Sequence, residues 1–277
     1  MRKIIALSIL MAVLFFHPQL HGQNTALNNL SENLPCVDKE FSLRVVMTVD
    51  EESRRPLMSQ AELDSIAIKA SSFFEPICMS FNICEFEVIP NYSYNDLFTP
   101  QRITQMGNVF GYPERINVFV SNNVVGPNCG SSVFGGFDSR RGARIYIELG
   151  CGDRPEIQLA KHMGTLFGLL DTNNDGSNEL VDRSNCSTTG DNLCSTPADP
   201  YGYIRDEMTG LWEMTPDPTL VPYNVGCEFV WETLDDNGEF FTPSTTNIMS
   251  QYPCKCEFTL EQFQIMSEAY LASRFKH

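Results

Sequence analysis

The feature that most constrains the fold is an irregular stretch of roughly 70 residues after Asp171, rich in Asn, Asp, Gly, Pro and Cys. A loop region of this length is expected inside a compact domain only where it is functional or cross-linked. Four cysteines lie in or beside it: Cys186, Cys194, Cys227 and Cys254. We therefore expect a regular first part followed by a second part that disulfides hold together.

The N-terminus predicts a secretory signal peptide over residues 1–22. Arg2 and Lys3 precede an apolar run from Ile4 to Phe16, and the chain becomes polar after Gly22. This run is too short to span a bilayer stably, although an uncleaved anchor is the alternative. All 10 cysteines follow the signal, which indicates disulfides in a secreted or extracytoplasmic protein without a membrane segment once the signal is removed.

The charge balance restricts the partners. Removing Arg2 and Lys3 with the signal leaves 17 basic residues against 35 acidic ones, a net charge of −18. Such a chain repels nucleic acid and anionic membranes, and it favours cations as partners.

The periodicity predicts an α+β fold in one domain. Residues 23–40 form a polar leader, and residues 41–277 form the domain, with an upper lobe at 41–171 and a lower lobe at 172–277. Strands are predicted at residues 41–50, 84–89, 115–121 and 143–149. Capping boxes at Ser59 and Thr259 predict a helix that backs a mixed sheet and a C-terminal helix.

A third helix, with Asp153 as its predicted N-cap, has the frame of a zinc-protease helix without its ligands. In the motif H-E-x-x-H-x-x-G-x-x-H, residues four apart grip one metal and the glycine allows a turn toward a third ligand. Aligning Gly168 with that glycine places Lys161, His162, Thr165 and Asp171 at the positions of the first His, the Glu, the second His and the third His. An ordinary amphipathic core helix is the alternative.

Three stretches in order resemble the pappalysin family of secreted metzincin proteases. They are the frame "AKHMGTLFGLLDT", the loop "NCSTTGDNLCSTPADP", and "NIMSQY" around Met249, which is followed by "FTLEQF". The resemblance covers most of the chain from Phe41 onward. It implies a metzincin-like fold, with an active-site-type helix, a Met-turn at Met249, and an irregular disulfide-rich C-terminal subdomain that ends in a helix.

The resemblance also implies cross-links and a calcium ion in the lower lobe. It suggests one disulfide from Cys186 to Cys227 and another from Cys194 to Cys254 or Cys256. It places calcium at Asp191, Thr196 and a backbone oxygen near Cys194. A competing calcium loop runs from Asp171 to Asp182, where "DTNNDGSNELVD" fits the spacing D-x-N-x-D-G with an acid at position twelve. The alternative for this stretch is a polar turn, because no pair of EF-hand helices flanks it.

The departures from the motif argue against zinc and against peptide cleavage. Without the signal the chain keeps only His162 and His277, so three imidazoles cannot meet on one ion, and the glutamate that would act as base is absent. We expect Lys161 and Asp171 to neutralise each other above Met249, with the Thr165 hydroxyl completing the hydrogen bonds and His162 turned aside. The alternative is that both side chains turn to solvent, because exposed ion pairs gain little. From these departures we expect a pseudoprotease that binds a polypeptide without cleaving it. The alternatives are an active zinc metallopeptidase with an unconventional site, and a structural or adhesive calcium-stabilised module.

Overall fold

A computed structural model describes residues 34–52, 54–97, 99–124, 130–134, 142–174, 178–205, 212–214 and 222–273. The predicted signal at 1–22 and most of the predicted leader at 23–40 lie outside these ranges. The chain from Cys36 onward forms one compact unit. None of the helices in the described part of the chain has both the length and the apolar composition that crossing a membrane requires.

The centre of the fold is a five-stranded mixed sheet. Its strands are β1 (Lys39–Thr48), β2 (Met79–Ile89), β4 (Ile116–Ser121), β6 (Gly130–Phe134) and β7 (Ala143–Glu148). Their order is β2-β1-β4-β7-β6, and every neighbouring pair is parallel except β6 with β7. The four predicted strands are confirmed, whereas the antiparallel edge strand β6 was not predicted.

Two short pairs of strands lie outside the main sheet. Strands β3 (Asp96–Leu97) and β5 (Asn123–Val124) pair in parallel, and β8 (Tyr203–Arg205) pairs antiparallel with β9 (Trp212–Met214). Between Asp171 and Thr259, β8 and β9 are the only strands among the described residues, apart from isolated bridges. This part of the chain is as irregular as its composition predicts.

Helices cover both faces of the sheet. They are α1 (Gln60–Ser72), α2 (Pro100–Phe110), α3 (Pro155–Leu166) and α4 (Leu260–Ala272). Helix α1 packs against α3, and α2 buries Ile103 and Met106 against Val46, Phe119 and Tyr146 on the opposite face. The prediction of one backing helix was therefore wrong, because α2 was missed although Thr99 caps it and Pro100 begins it.

Strand β1 is buried on both faces from Leu43 onward. The alternate residues Phe41, Leu43, Val45 and Met47 are buried, and so are Arg44, Val46 and Thr48 between and after them. Parallel strands between two helical layers have no solvent face. The charge of Arg44 is compensated because its guanidinium group donates to Glu85 Oε1 at 3.0 Å and forms an ion pair with Glu87.

Candidate functional site

Helix α3 carries the degenerate motif through the interior. It begins at Pro155 after the N-cap Arg154, so Asp153 is not the N-cap that its spacing predicts. The Asp153 carboxylate instead forms an ion pair with Lys255, an interaction between residues 102 positions apart that local capping rules cannot anticipate. Gln158 fastens the helix to β7, donating to the Glu148 carbonyl at 2.7 Å and accepting from the Glu148 N–H at 2.8 Å.

Lys161 is a buried cation with two oxygen partners. Its side chain is 4% exposed, and Nζ lies 3.0 Å from the carbonyl oxygen of Ser250 and 3.1 Å from Asp171 Oδ1. The predicted Lys161–Asp171 pair therefore forms. Burial lowers the pKa of Lys161, and the Asp171 carboxylate opposes that shift.

Asp171 reaches Lys161 because the chain turns sharply after α3. Gly168 has a φ of +95°, a left-handed value that favours glycine. Beyond the turn, the Thr172 N–H donates to the Met249 carbonyl at 3.2 Å. The Gln251 amide donates to Asp171 Oδ2 at 2.8 Å, so each carboxylate oxygen has a partner.

Thr165 does not complete this pair as predicted. Its hydroxyl donates to the Lys161 backbone carbonyl at 3.2 Å, one helical turn back. Such a back-bond satisfies a threonine hydroxyl within its own helix, so the side chain has no need to reach the ion pair. His162 is buried at 5% exposure on the same helix.

The segment around Met249 lies directly against α3. Met249 is fully buried, and a Cβ added to Gly164 would come within 2.9 Å of its sulfur. The Met249 N–H donates to Asn247 Oδ1 at 2.8 Å, and the Asn247 amide donates to Gln262 Oε1 of α4 at 3.0 Å. This turn therefore holds the Ser250 carbonyl in place over Lys161.

Further charged groups extend the pair into an interior charge cluster, defined here as Lys161, Asp171, Lys255, Asp153 and Asp199. Asp199 is 1% exposed and accepts from the Tyr252 hydroxyl at 2.9 Å and from Thr172 Oγ1. Burial raises the pKa of the Asp199 carboxyl, although these hydrogen bonds oppose the shift. Sequence reasoning missed Lys255, Asp153 and Asp199, because only the folded chain brings them together.

The predicted calcium residues Asp191 and Thr196 are in contact. Thr196 Oγ1 lies 2.7 and 2.8 Å from the two Asp191 carboxylate oxygens and 2.9 Å from the Leu193 carbonyl. Burial raises the pKa of Asp191 to about 6. These two side chains thus bring three oxygens together in the loop.

Glu179 joins them, although the sequence analysis did not select it. It is 1% exposed, and its Oε1 is buried without a hydrogen-bond partner. Burial, followed by the nearby Asp191 charge, raises its pKa to about 8. Its carboxylate packs on Gly190, where a φ of +59° and the lack of a Cβ allow the close approach. No group of three or more His, Cys, Asp or Glu side chains suited to a metal occurs within the described ranges.

The competing loop from Asp171 to Asp182 is only partly described, because residues 175–177 lie outside the described ranges. Asp171 already binds Lys161 and Gln251. Asp182 is exposed and accepts from the Ser184 N–H at 2.9 Å.

The disulfide connectivity differs from the one that the resemblance suggested. All four cysteines are bonded, but Cys186 joins Cys194 and Cys227 joins Cys254. The Cα atoms are 5.1 and 6.1 Å apart, within the span of a disulfide, and each sulfur forms only one such bond. Cys256 is an exposed free thiol. The predicted pairs Cys186–Cys227 and Cys194–Cys254 or Cys194–Cys256 were wrong, because turns in the lower part bring nearer cysteines together.

Two further disulfides lie outside this region. Cys36 bonds to Cys78 across the start of the sheet, and Cys151 is also disulfide-bonded.

Comparison with solved structures supports a metalloprotease fold. A mutant of promirolysin from Tannerella forsythia matches with a TM-score of 0.51 and 13% sequence identity, over 96% of this chain and 92% of that chain. Promirolysin is a metzincin of the pappalysin family. At this identity the likeness shows the fold alone. No protein-family model matches the sequence, and no curated protein matches it.

Proposed function

We propose that this protein is an exported pseudoprotease of the pappalysin type, which binds a polypeptide without cutting it. The three described disulfides support export, because such bonds persist in oxidising compartments. The metzincin-like fold supports a protease-type scaffold.

The observation that carries the proposal is the place of Lys161. In the motif, a neutral imidazole at this position donates a lone pair to zinc, whereas an ammonium group has none to donate. Lys161 directs its charge to Asp171 and to the Ser250 carbonyl, and Thr165 directs its hydroxyl to the helix backbone. These residues therefore do not fit zinc. We take the turn at Met249 as the counterpart of the Met-turn.

Strand β6 offers a backbone edge for the polypeptide. It is antiparallel to β7 and ends the sheet order, and within the described ranges β7 is its only strand partner. The outer edge of a terminal strand carries N–H and C=O groups that an extended chain can match by adding one more strand. This mode needs no metal and no catalytic side chain.

Calcium in the lower part is a further element of the proposal. Asp191, Thr196 and a carbonyl near Cys194 supply the hard oxygens that calcium prefers, and the unpaired Oε1 of Glu179 adds a carboxylate. An ion here would compensate two carboxylates that are otherwise costly to bury, and would stabilise the irregular region.

The decisive experiment compares the unmodified protein with the restored variant K161H/H162E/T165H/D171H. Both are purified without metal, loaded with zinc, tested for bound zinc after dialysis, and assayed on general protease substrates. We expect the unmodified protein to bind less than one zinc per chain and to cleave nothing. Zinc-dependent cleavage by the unmodified protein would establish the metallopeptidase alternative.

Peptide binding separates a pseudoprotease from a structural or adhesive module. A pull-down with an immobilised peptide library is expected to capture the protein, and S132P is expected to reduce capture because proline disfavours the pairing of β6 with a further strand. The control S80P alters the opposite edge strand. Equal capture of both variants would contradict binding along β6.

A further inference from the structure

Residues 230–241 form a hairpin that is rigidly anchored. Leu234 and Phe240 pair antiparallel, the Asp235 N–H donates to the Glu239 carbonyl at 2.8 Å, and the Phe241 N–H donates to the Thr233 carbonyl at 3.1 Å. The Asp235 carboxylate is fully buried and accepts from the Val181 N–H at 2.9 Å. The hairpin is therefore held to the body of the protein by its inner face.

Exposure alternates along the first strand of the hairpin, from Val230 to Asp235. Trp231 and Thr233 are half-buried, and Asp235 is buried. Val230, Glu232 and Leu234 are exposed, and because successive residues of an extended chain point to opposite faces, they share the outer face. Residues 236–240 are all exposed, with Asp236 in the turn and Phe240 opposite Leu234. We call five of these exposed residues the outer stripe: Val230, Glu232, Leu234, Asp236 and Phe240.

The outer stripe is apolar as well as acidic. Val230 is 49% exposed, and Phe240 is 59% exposed directly opposite Leu234. Side chains paired in this way lie about 5 Å apart, so Leu234 and Phe240 form one continuous apolar surface rather than two scattered residues. Glu232 lies on the same face as Leu234, and Asp236 follows Leu234 by two residues, in the turn.

The charge of the surroundings identifies the kind of partner. The sequence from 222 to 241 contains no Lys or Arg, and the chain carries a formal charge of −16. A second copy would bring the same carboxylates together and would be repelled. A cationic chain would be attracted and would find apolar side chains between the carboxylates.

We propose that the outer stripe docks an extended cationic polypeptide that carries Lys or Arg and apolar side chains alternately on one face. The period of two residues in an extended chain matches the alternation of Val230, Glu232 and Leu234, and Asp236 adds a second carboxylate at the turn. The surface shares no residue with the interior charge cluster or with β6. The inference therefore goes beyond the proposed function and does not depend on it.

The test measures binding of a fluorescein-labelled synthetic peptide of 12 residues. An extended chain rises roughly 3.3 Å per residue, so a peptide of this length can span the outer stripe. Its lysines and leucines alternate on one face, with serine between them. A matched peptide carries glutamate in place of lysine. Fluorescence anisotropy is read at low and at physiological salt with the full-length protein and two variants, E232Q/D236N and L234S/F240S. The control E51Q/E52Q removes two exposed carboxylates elsewhere, and I68S removes an exposed apolar side chain elsewhere.

We expect the lysine peptide to bind and the glutamate peptide not to bind. E232Q/D236N should weaken binding about five- to thirtyfold at low salt, and less at physiological salt. L234S/F240S should weaken it at both salt concentrations, and the controls should weaken it less than threefold. All variants change exposed side chains, and thermal melting checks that they fold.

Three results would overturn the proposal: no binding of the lysine peptide at low salt, equal binding of both peptides, or hairpin variants that match their controls. A dimer that the hairpin variants dissociate would also overturn it by assigning the stripe to a second copy. Loss of binding in S132P with an unchanged E232Q/D236N would place the peptide at β6 instead.

Discussion

The strongest prediction is an asymmetry between the two partners of the buried ion pair. The variant D171N leaves the Lys161 ammonium buried, with a side-chain exposure of 4%, and without its carboxylate. The variant K161M leaves the Asp171 carboxylate, whose side chain is 27% exposed and keeps its bond to Gln251. Water can reach the second charge but not the first.

The expected losses in the free energy of unfolding follow from this difference in solvent access. An uncompensated buried charge costs about 3–5 kcal/mol, so D171N should lower the free energy of unfolding by that amount. In K161M the carboxylate regains water, and the main loss is the hydrogen bond to the Ser250 carbonyl, which amounts to about 1–3 kcal/mol. The double variant K161M/D171N should lose less than the two single variants together, with a coupling energy of about 1–3 kcal/mol.

The assay is urea unfolding followed by far-ultraviolet circular dichroism, with both single variants, the double variant and R154M. Arg154 forms an ion pair with Glu156 on the same helix, but its own side chain is 67% exposed, so R154M should change stability by about 0–1 kcal/mol. Additive effects of D171N and K161M, or a larger loss in K161M than in D171N, would refute the assignment of the pair as a buried replacement for the metal.

Three other predictions concern the same structure. Calcium at 100 times its Kd should stabilise the protein by about 2.7 kcal/mol, and E179Q should abolish this gain while the exposed control E228Q keeps it. G164A should destabilise by about 1–3 kcal/mol, since its Cβ would lie 2.9 Å from the Met249 sulfur, and M249A should relieve part of that loss. The lowered pKa of Lys161 means that the unfolded chain binds its proton more tightly, so stability relative to K161M should rise as the pH increases toward the ordinary lysine value. Three results would contradict these assignments: an unchanged calcium response in E179Q, a neutral G164A, or a pH-independent difference from K161M.

Local signals in the sequence predicted local structure well. Ser59 with Glu62 and Thr259 with Gln262 form the capping boxes that their spacing indicates, because each bond joins residues three positions apart. The Lys161–Asp171 pair followed from the positions of a motif with known geometry. Each of these predictions needed only a short stretch of chain.

Interactions between distant segments escaped prediction. Lys255 and Asp153 are far apart in sequence, and nothing near Asp153 distinguishes an ion-pair partner from an N-cap. Glu179 was missed because its burial depends on Gly190 passing over it. The disulfides were mispaired for a related reason: spacing along the chain does not determine which cysteines meet when the intervening residues form irregular turns.

Lys161 changes how the stability at the centre of the fold depends on the concentration of metal ions. A bound ion stabilises a protein only in proportion to the logarithm of its free concentration, so dilution or a chelator weakens it. The Lys161 ammonium is covalently attached and pairs with Asp171 at a fixed local concentration. Scarcity of metal therefore leaves this part of the molecule intact.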